Sequence, residues 1–439
     1  MFRTFIDAFK VKEIRRKIFY VLMMLVIIRI GSQIPVPGTD NTQIQAFFAS
    51  QTNGAFNFLD AFTGGSLSSF SILALSISPY ITSSIIIQLL TIAIPALEEM
   101  QKDGEDGKKK INVITRYTTV GLAVIESWAM AVGFGNQGLI TDMSAVSILI
   151  VVVTLTAGSA FLMWVGEQIT EKGIGNGISV VLLINIVSRV PLDLTRLYRQ
   201  FMAGQTLAMS ALALVIMVVV IIGMIVLVLL LNGAQRNIPV QYSKKMQGRK
   251  MVGGQSSHIP LKVNTAGVIP VIFASSIMSF PGIIAQFAGH TDDGAGVGDW
   301  ILNMLNSNNW FKFSDISYSV GLILYIVLVV FFAYFYTSVT FNPLEIADNM
   351  KKQGGFIPGI RPGRPTSDYL TKILNYIIFI GAAGLCIVAV VPFFFNGVFG
   401  ANVSFGGTSI IIIGSVILEI AKQIESMMLV RNYKGFLND

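Results

Sequence analysis

The chain has 439 residues, of which 53% are hydrophobic and only 13% are charged, and its mean hydropathy is +0.69. Soluble domains carry about 25% charged residues, so this composition indicates a membrane protein and excludes the soluble and disordered classes. The single cysteine, Cys386, excludes a disulfide framework within the chain. The two histidines, His258 and His290, lie far apart, so a histidine metal centre or a Ser-His-Asp triad is not expected.

Ten apolar stretches have the length of about 20 residues that a helix needs to cross a bilayer. The predicted spans are 18–34, 72–95, 112–134, 145–166, 174–190, 207–231, 267–288, 316–340, 372–395 and 408–428. Segments on one side of these spans hold 26 of the 31 basic residues. Because basic loops remain in the cytoplasm, both termini are predicted to be cytoplasmic. The end of the fifth span and the connection after it are the local exception, with Arg189, Arg196 and Arg199.

The segment 54–68, between the first two spans, is apolar but too short to cross a membrane. Its Phe56, Leu59 and Phe62 recur at three-residue steps, so a short helix would bury one face. Gly64 and Gly65 would then end that helix. We expect the segment either to lie on the outer interface or to re-enter the interior of the protein.

Spans two and seven share a short motif. The pattern Pro-x-Ile-x-x-Ser begins at Pro79 in span two and at Pro270 in span seven. These spans are five apart in a chain of ten, and five is odd, so equivalent helices of the two halves run in opposite directions. The motif therefore favours an inverted repeat, which is typical of transporters and channels.

Two long loops on the basic side, 232–266 and 341–371, concentrate positive charge. The first contains no acidic residue, and its basic residues are Arg236, Lys244, Lys245, Arg249, Lys250 and Lys262. The second places Arg361 and Arg364 among prolines and glycines, which stiffen a turn and present the guanidinium groups outward. Contact with anionic lipid accounts for such charge. A large anionic partner, such as ribosomal RNA or the acidic face of a protein, accounts for it equally well.

Signatures of catalysis and energy coupling are missing from the sequence. It contains no G-x-x-x-x-G-K-[ST] motif, so the chain does not supply its own ATP energy. Arg29 and Glu126 are the clear ionisable residues inside the spans, and we expect them to snorkel or to pair between helices. The Gly158-Ser159 pair lacks the facing histidine that an intramembrane serine protease needs. We therefore expect neither an enzyme nor a cofactor.

Motifs in seven places along the chain resemble the SecY family of protein-conducting channels. They lie at 62–66, 79–90, 166–179, 261–270, 341–343, 358–363 and 405–409. The resemblance implies an all-α polytopic membrane protein, with ten transmembrane helices in two inverted five-helix halves around a central pore. It also implies that unfolded secretory polypeptides cross the bacterial cytoplasmic membrane through this pore, and that hydrophobic segments leave it sideways into lipid.

The resemblance also implies roles for individual residues. The pore ring would be an apolar collar that dewets and blocks ions, formed by Ile77, Ile81, Leu182, Ile272 and Ile412. The segment 54–68 would be a re-entrant plug, with Phe56, Leu59, Phe62, Gly64 and Gly65. The lateral gate, between spans two and three and spans seven and eight, would carry Ser83, Ser84, Gln88, Ser275 and Ser276. Docking of partners would use Arg249, Lys250, Arg361, Lys244 and Lys245. Leu344 stands where the family often has an arginine, which removes one accessory docking contact.

The implied partners are the SecE and SecG subunits, the SecA motor, the ribosome with its RNA, signal sequences, precursor polypeptides and membrane lipids. The implied organisation is a cytoplasmic segment 1–17, an N-terminal half 18–190, an external connection 191–206, a C-terminal half 207–428 and a cytoplasmic tail 429–439. A secondary transporter of a small solute, built on inverted repeats, is the alternative. It requires carboxylates in mid-membrane, where the sequence offers only Glu126. An intramembrane enzyme is the third reading.

Overall fold

The computed structural model describes residues 8–50, 60, 62–140, 142–201, 207–242, 245–247, 250–252, 256–287, 297–306, 309–311, 316–399 and 407–435. Helices dominate these residues, because a helix satisfies its own backbone hydrogen bonds where lipid offers none. They are α1 (Lys12–Gly31), α2 (Asn41–Ser50), α3 (Ser78–Ala93), α4 (Pro95–Lys102), α5 (Gly104–Asn136), α6 (Ala145–Lys172), α7 (Gly177–Phe201), α8 (Leu207–Gly233), α9 (Ile269–Phe287), α10 (Val297–Leu305), α11 (Val320–Thr340), α12 (Pro343–Lys352), α13 (Arg364–Phe399) and α14 (Gly407–Gly435). A 3-10 turn at Ile316–Ser319 precedes α11.

The ten predicted spans all overlap these helices, although residues 72–77 of the second span form turns. The span predicted at 72–95 corresponds to α3 and the start of α4, which are bent by 107° relative to each other. Within the described residues, six helices are long and apolar enough to cross a membrane, or seven if the bent pair counts as one span. The count of ten crossings stays a prediction.

The two halves of the chain repeat the same packing. In the N-terminal half, α1 packs on α6 and α7, α3 packs on α5, and α6 packs on α5 and α7. In the C-terminal half, α8 packs on α13 and α14, α9 packs on α11, and α13 packs on α11 and α14. Each pair in one half has its counterpart five spans later. The chain is therefore built on the internal repeat that the motif in spans two and seven indicates.

The turns that lead into α3 and α9 are also equivalent. Pro79 and Pro270 both lie in the first helical turn, where a missing N–H costs nothing and a fixed φ favours the helix. Three residues before each proline the backbone is left-handed, with φ +51° at Ser76 and +64° at Gly267. The two halves thus turn into their second span with the same local geometry.

Just before each of these turns, a backbone carbonyl lies in close contact with a glycine of a neighbouring helix. The carbonyl of Ile72, seven residues before Pro79, lies so near Gly158 of α6 that an added Cβ would be 1.8 Å from its oxygen. In the other half, a Cβ at Gly381 of α13 would be 2.4 Å from the carbonyl oxygen of Val263. Glycine at both positions is therefore a requirement of packing.

Helices of the two halves meet at α7 with α14, and at α5 with α9. In the first contact, the amide of Gly175 donates to the side-chain carbonyl of Gln423, and Gly175 packs closely against Ile420. These contacts place the start of α7 beside α14, so residues of the two halves share one interior.

Strands join the two long basic loops, which the sequence does not predict. Strand β1 (Gln235–Tyr242) pairs antiparallel with β4 (Ser256–Lys262) on one edge and with β5 (Gly355–Phe356) on the other. The tip of the first loop is a hairpin of β2 (Lys245–Gln247) and β3 (Lys250–Val252). We call β1 to β4 the ribbon. Its buried side chains, among them Ile238 and Leu261, pack with α13.

The helix of the fifth span is longer than predicted. Helix α7 continues to Phe201 and so includes most of the segment predicted as a connection, 191–206, of which 202–206 lie outside the described residues. Arg189, Arg196 and Arg199 therefore lie on a helix, and Pro191 falls inside it. The apolar pattern of the span ends earlier than the helix, which is why sequence alone places its end too soon.

Candidate functional site

The five aliphatic residues predicted as a pore ring lie in one apolar cluster between the halves. Ile77, Leu182, Ile272 and Ile412 are buried members, and Ile81 is partly buried against them. They come from α7, α9 and α14 and from the start of α3. Ile77 caps α3, and the amide of Ile81 donates to the Ile77 carbonyl at 3.0 Å, so the two side chains share one face. We call these five residues the collar.

The cluster contains further residues that sequence reasoning does not single out. Val416 lies one turn after Ile412 on α14, and Ile186 lies one turn after Leu182 on α7. Repetition of aliphatic residues at four-residue steps is the pattern that identifies them. Helices of both halves contribute aliphatic side chains to the cluster.

The predicted plug is described in part. Phe56 and Leu59 lie outside the described residues. Phe62 is helical and packs against the aliphatic cluster that holds the collar. Gly64 and Gly65 follow it with φ +68° and +87°, and both lie in a turn, so the helix ends where the glycines predict.

Side chains of helix α7 donate hydrogen bonds to backbone carbonyls of this segment. The carbonyl of Phe62 accepts a hydrogen bond from Asn185 Nδ2 at 3.1 Å. The carbonyl of Gly64 accepts from Ser188 Oγ and from Arg29 Nη1, each at 3.3 Å. A Cβ at Gly64 would lie 2.8 Å from the Asn185 backbone. Arg29, an intramembrane charge of the first span, therefore contacts the predicted plug.

A buried ion pair completes this attachment. Asp60, 4% exposed, accepts from Nη1 of Arg189, which is 5% exposed. The other carboxylate oxygen of Asp60 accepts from the amide of Ser68 at 3.0 Å and from Thr63 Oγ1 at 3.4 Å. Sequence reasoning misses this pair. Its visible trace is a lone acid in an apolar segment and an arginine on the side of the membrane where basic residues are rare.

Two of the predicted gate residues form hydrogen bonds inside their own half. Buried Ser83 on α3 donates to the carbonyl of Thr115 on α5 at 3.2 Å. Buried Ser275 on α9 lies at 3.4 Å from the hydroxyl of Tyr325 on α11, to which it donates. The other three differ in exposure, since Ser84 and Gln88 are half-buried and Ser276 is exposed.

The predicted docking residues are described unevenly. Arg361 is exposed in a turn between Gly359 (φ +82°) and Gly363 (φ +103°), as the pattern of prolines and glycines predicts. Lys244 and Arg249 lie outside the described residues, and Lys245 and Lys250 are described in their backbone alone, on the two strands of the hairpin. The pairing of β1 with β5 fixes the two basic loops to each other.

Metal chemistry has no site in the part of the chain that the structure describes, where no group of three or more His, Cys, Asp and Glu side chains is arranged to hold an ion.

Comparisons with known proteins agree with this architecture. The family model named SecY matches residues 71–421. The chain is 43% identical, over the whole of both sequences, to the protein translocase subunit SecY of Halalkalibacterium halodurans. It shares its fold with the SecY channel of a structure that describes the plug domain as stabilising the closed state and maintaining a membrane seal (TM-score 0.61, 19% identity, 95% of this chain and 93% of that chain). It also shares its fold with Sec61 in the canine ribosome–channel complex (TM-score 0.61, 18% identity, 95% and 93%).

Proposed function

The chain belongs to the SecY family of protein translocase subunits, and we propose that it forms the channel through which unfolded secretory polypeptides cross the bacterial cytoplasmic membrane. The observation that carries this proposal is the collar, to which helices of both repeated halves contribute aliphatic side chains. A passage at this position opens when the halves part and closes when they meet, without any hinge inside a helix.

The collar suits an unfolded chain as cargo. Aliphatic side chains seal against ions when packed together, because a narrow apolar constriction excludes water. The same side chains offer no hydrogen bond or charge to a passing polypeptide, so they do not retain any particular residue. The chain itself is passive in this proposal, and the driving force comes from the SecA motor or from translation.

The segment 54–68 acts as the plug in this proposal. Phe62 packs on the collar cluster, and α7 holds the backbone of Phe62 and Gly64. The similar SecY channel, whose plug is described as maintaining the membrane seal, supports the same role here. Opening then requires that this segment leave its contacts with α7.

The lateral exit lies between α3 and α5 of one half and α9 and α11 of the other. The hydrogen bonds of Ser83 and Ser275 hold each of these helix pairs together within its half, so each pair moves as a unit. The other three gate residues, Ser84, Gln88 and Ser276, form the contact between the two halves in this proposal. A hydrophobic signal sequence replaces that contact, and apolar segments pass from there into lipid.

The ribbon and the Arg361 turn form the docking face on the cytoplasmic side. Basic residues on both loops suit ribosomal RNA and the acidic surface of SecA. The similar Sec61 channel occurs in a complex with the ribosome, which supports this assignment. SecE and SecG are the expected membrane partners, and both termini are cytoplasmic in this arrangement.

Reconstitution tests the proposal directly. The purified chain, together with SecE in lipid vesicles, should import a secretory precursor into a protease-protected space when SecA and ATP are added. A variant with one polar residue in the collar, Ile81→Asn or Ile412→Asn, should leak ions at rest because an amide side chain attracts water into the constriction. The conservative variant Ile412→Leu should stay sealed. Folded protein that fails to import any precursor would favour the solute-transporter alternative.

A further inference from the structure

We propose that the buried Asp60–Arg189 ion pair is a latch that holds the plug segment against α7 in the closed channel and sets the threshold for its release. This inference rests on the proposed role of residues 54–68 as the plug. The pair is one specific attachment between that segment and the helix beside it, and the two residues are 129 positions apart in the sequence.

Burial makes each partner depend on the other. Asp60 and Arg189 are both at least 95% buried, and Asp60 is the one acidic residue of the segment 54–68. A charge without its partner in such a place loses both its hydration and its counter-charge, which is strongly unfavourable. The plug therefore cannot leave a dry site without a large cost in free energy.

Water removes this cost. The attraction between two unit charges falls about fourfold or more between a buried site and water, and exposed ion pairs contribute little to stability. Once an arriving polypeptide opens the site and water enters, both charges are hydrated and the pair separates easily. An apolar contact would behave in the opposite way, since water strengthens it. An ion pair therefore holds the plug firmly when the channel is dry and releases it when the channel is wet.

Other charged groups surround the latch. Arg29 of α1 donates to the carbonyl of Gly64, and so a second cation faces the plug segment from a different helix. On α7, Asp193 is buried one turn after Arg189, and Arg196 lies 3.8 Å from Asp193 with its side chain half exposed. Arg196 therefore offers a matched control, since it is an arginine of the same helix and the same membrane side without a contact to Asp60 among the described ion pairs.

Cysteine labelling measures the latch without any translocation. Ser66 is 2% exposed in the plug segment, so Ser66→Cys reacts with a water-soluble maleimide only when the segment opens. The background is Cys386→Ala, in the full chain in lipid nanodiscs. Asp60→Asn and Arg189→Gln should each raise the labelling rate by about tenfold or more, because each removes one member of the buried ion pair. Arg196→Gln should leave the rate unchanged.

The double variant Asp60→Asn/Arg189→Gln decides whether the two residues act as a pair. It should label more slowly than either single variant, since both charges of the pair are removed together. Single variants that label no faster than Arg196→Gln would overturn the latch, as would a double variant whose rate is the product of the two single effects. If Asp60→Asn does not accumulate, Asp60→Glu takes its place, and its displaced carboxylate should give an intermediate rate.

The labelling separates the latch from the proposed function. A chain that imports precursors and shows no coupling between Asp60 and Arg189 disproves the latch alone. A chain that shows the coupling and imports nothing disproves the channel and leaves a structural ion pair.

Discussion

The connection between the first and second spans occupies the same place in each repeated half, and its character differs between them. In the N-terminal half it returns among the helices and attaches to α7 through Asp60 and its backbone carbonyls. In the C-terminal half it forms the basic ribbon, which contains no acidic residue and pairs with β5. The two connections have the same geometry at their last residues, where the left-handed turns at Ser76 and Gly267 lead into α3 and α9.

This contrast separates the frame of the repeat from what each half adds to it. The frame consists of the helix pairs and of the segment before each second span, where a backbone carbonyl packs on a glycine of a neighbouring helix. At the two glycines, Gly158 and Gly381, there is no room for a side chain. The inserted segments lie outside this frame, so they accept different chemistry. One is mostly apolar, and its described residue Asp60 is buried against α7. The other is charged and paired with a second loop.

The largest expected effect concerns the shared frame. Gly158→Ala and Gly381→Ala should each lower the free energy of unfolding by about 3 kcal/mol, because the new Cβ meets a backbone carbonyl that cannot rotate away. Thermal unfolding in detergent measures this loss. Gly223→Ala on α8 is the control, since nothing lies within 4 Å of its Cβ, and it should be neutral or stabilising by up to about 1 kcal/mol. Equal melting temperatures of all three variants would contradict the close backbone contact at Gly158 and Gly381.

The next effect is confined to the N-terminal connection. Gly64→Ala should weaken attachment of the proposed plug segment by about 2 kcal/mol, because φ is +68° and the Cβ meets the Asn185 backbone. Gly38→Ala has a similar φ of +82° with nothing within 4 Å, so it measures the backbone strain alone. Resting ion conductance of reconstituted vesicles should rise for Gly64→Ala and stay low for Gly38→Ala. Equal conductance of the two variants would argue against the contact with α7.

A smaller effect concerns the helix pairs of the frame. Ser83→Ala and Ser275→Ala should each cost about 1 kcal/mol, because each removes a buried hydrogen bond between neighbouring helices. The exposed Ser276→Ala should change nothing measurable. Melting temperatures of the three variants test the comparison, and a loss for Ser276→Ala as large as that for Ser275→Ala would contradict it.

The smallest effect on stability concerns the C-terminal connection and its partner loop. Arg361→Glu should leave the free energy of unfolding within about 0.5 kcal/mol, because Arg361 is exposed. Import driven by SecA, or transport coupled to the ribosome, should nevertheless be lost, since the charge of the proposed docking face is reversed locally. Lys352→Glu changes the net charge of the same loop equally and should retain most of the import. Normal import by Arg361→Glu would remove this residue from the docking face.

Hydropathy alone located the long helices, and the short helices α2, α10 and α12 lie outside the predicted stretches. Each of the ten predicted stretches overlaps a helix, because burying a run of about 20 apolar residues in lipid leaves helix as the available backbone structure. The short motif shared by spans two and seven likewise indicated the repeat, since the same turn and the same first-turn proline recur in both halves.

Some properties of the candidate site residues were predictable from the sequence, and others were not. The family resemblance named the five collar residues, and the structure brings them into one cluster. Neither the resemblance nor the residues of span two revealed that Ser83 bonds to Thr115 in its own half. That outcome depends on the rotation of α3 against α5, which packing sets.

Tertiary structure alone decided the contacts between distant segments. Strand β5 has two residues, too few for any periodic pattern, and it exists because β1 offers an open edge beside it. Gly158 looks like any helical glycine until the carbonyl of Ile72 is placed against it. No sequence pattern relates Asp60 to Arg189, and only the placement of Asp60 beside α7 makes them a pair. Local sequence fixes where apolar runs become helices, because that free energy is local, whereas ion pairs and close backbone contacts depend on which segments the fold brings together.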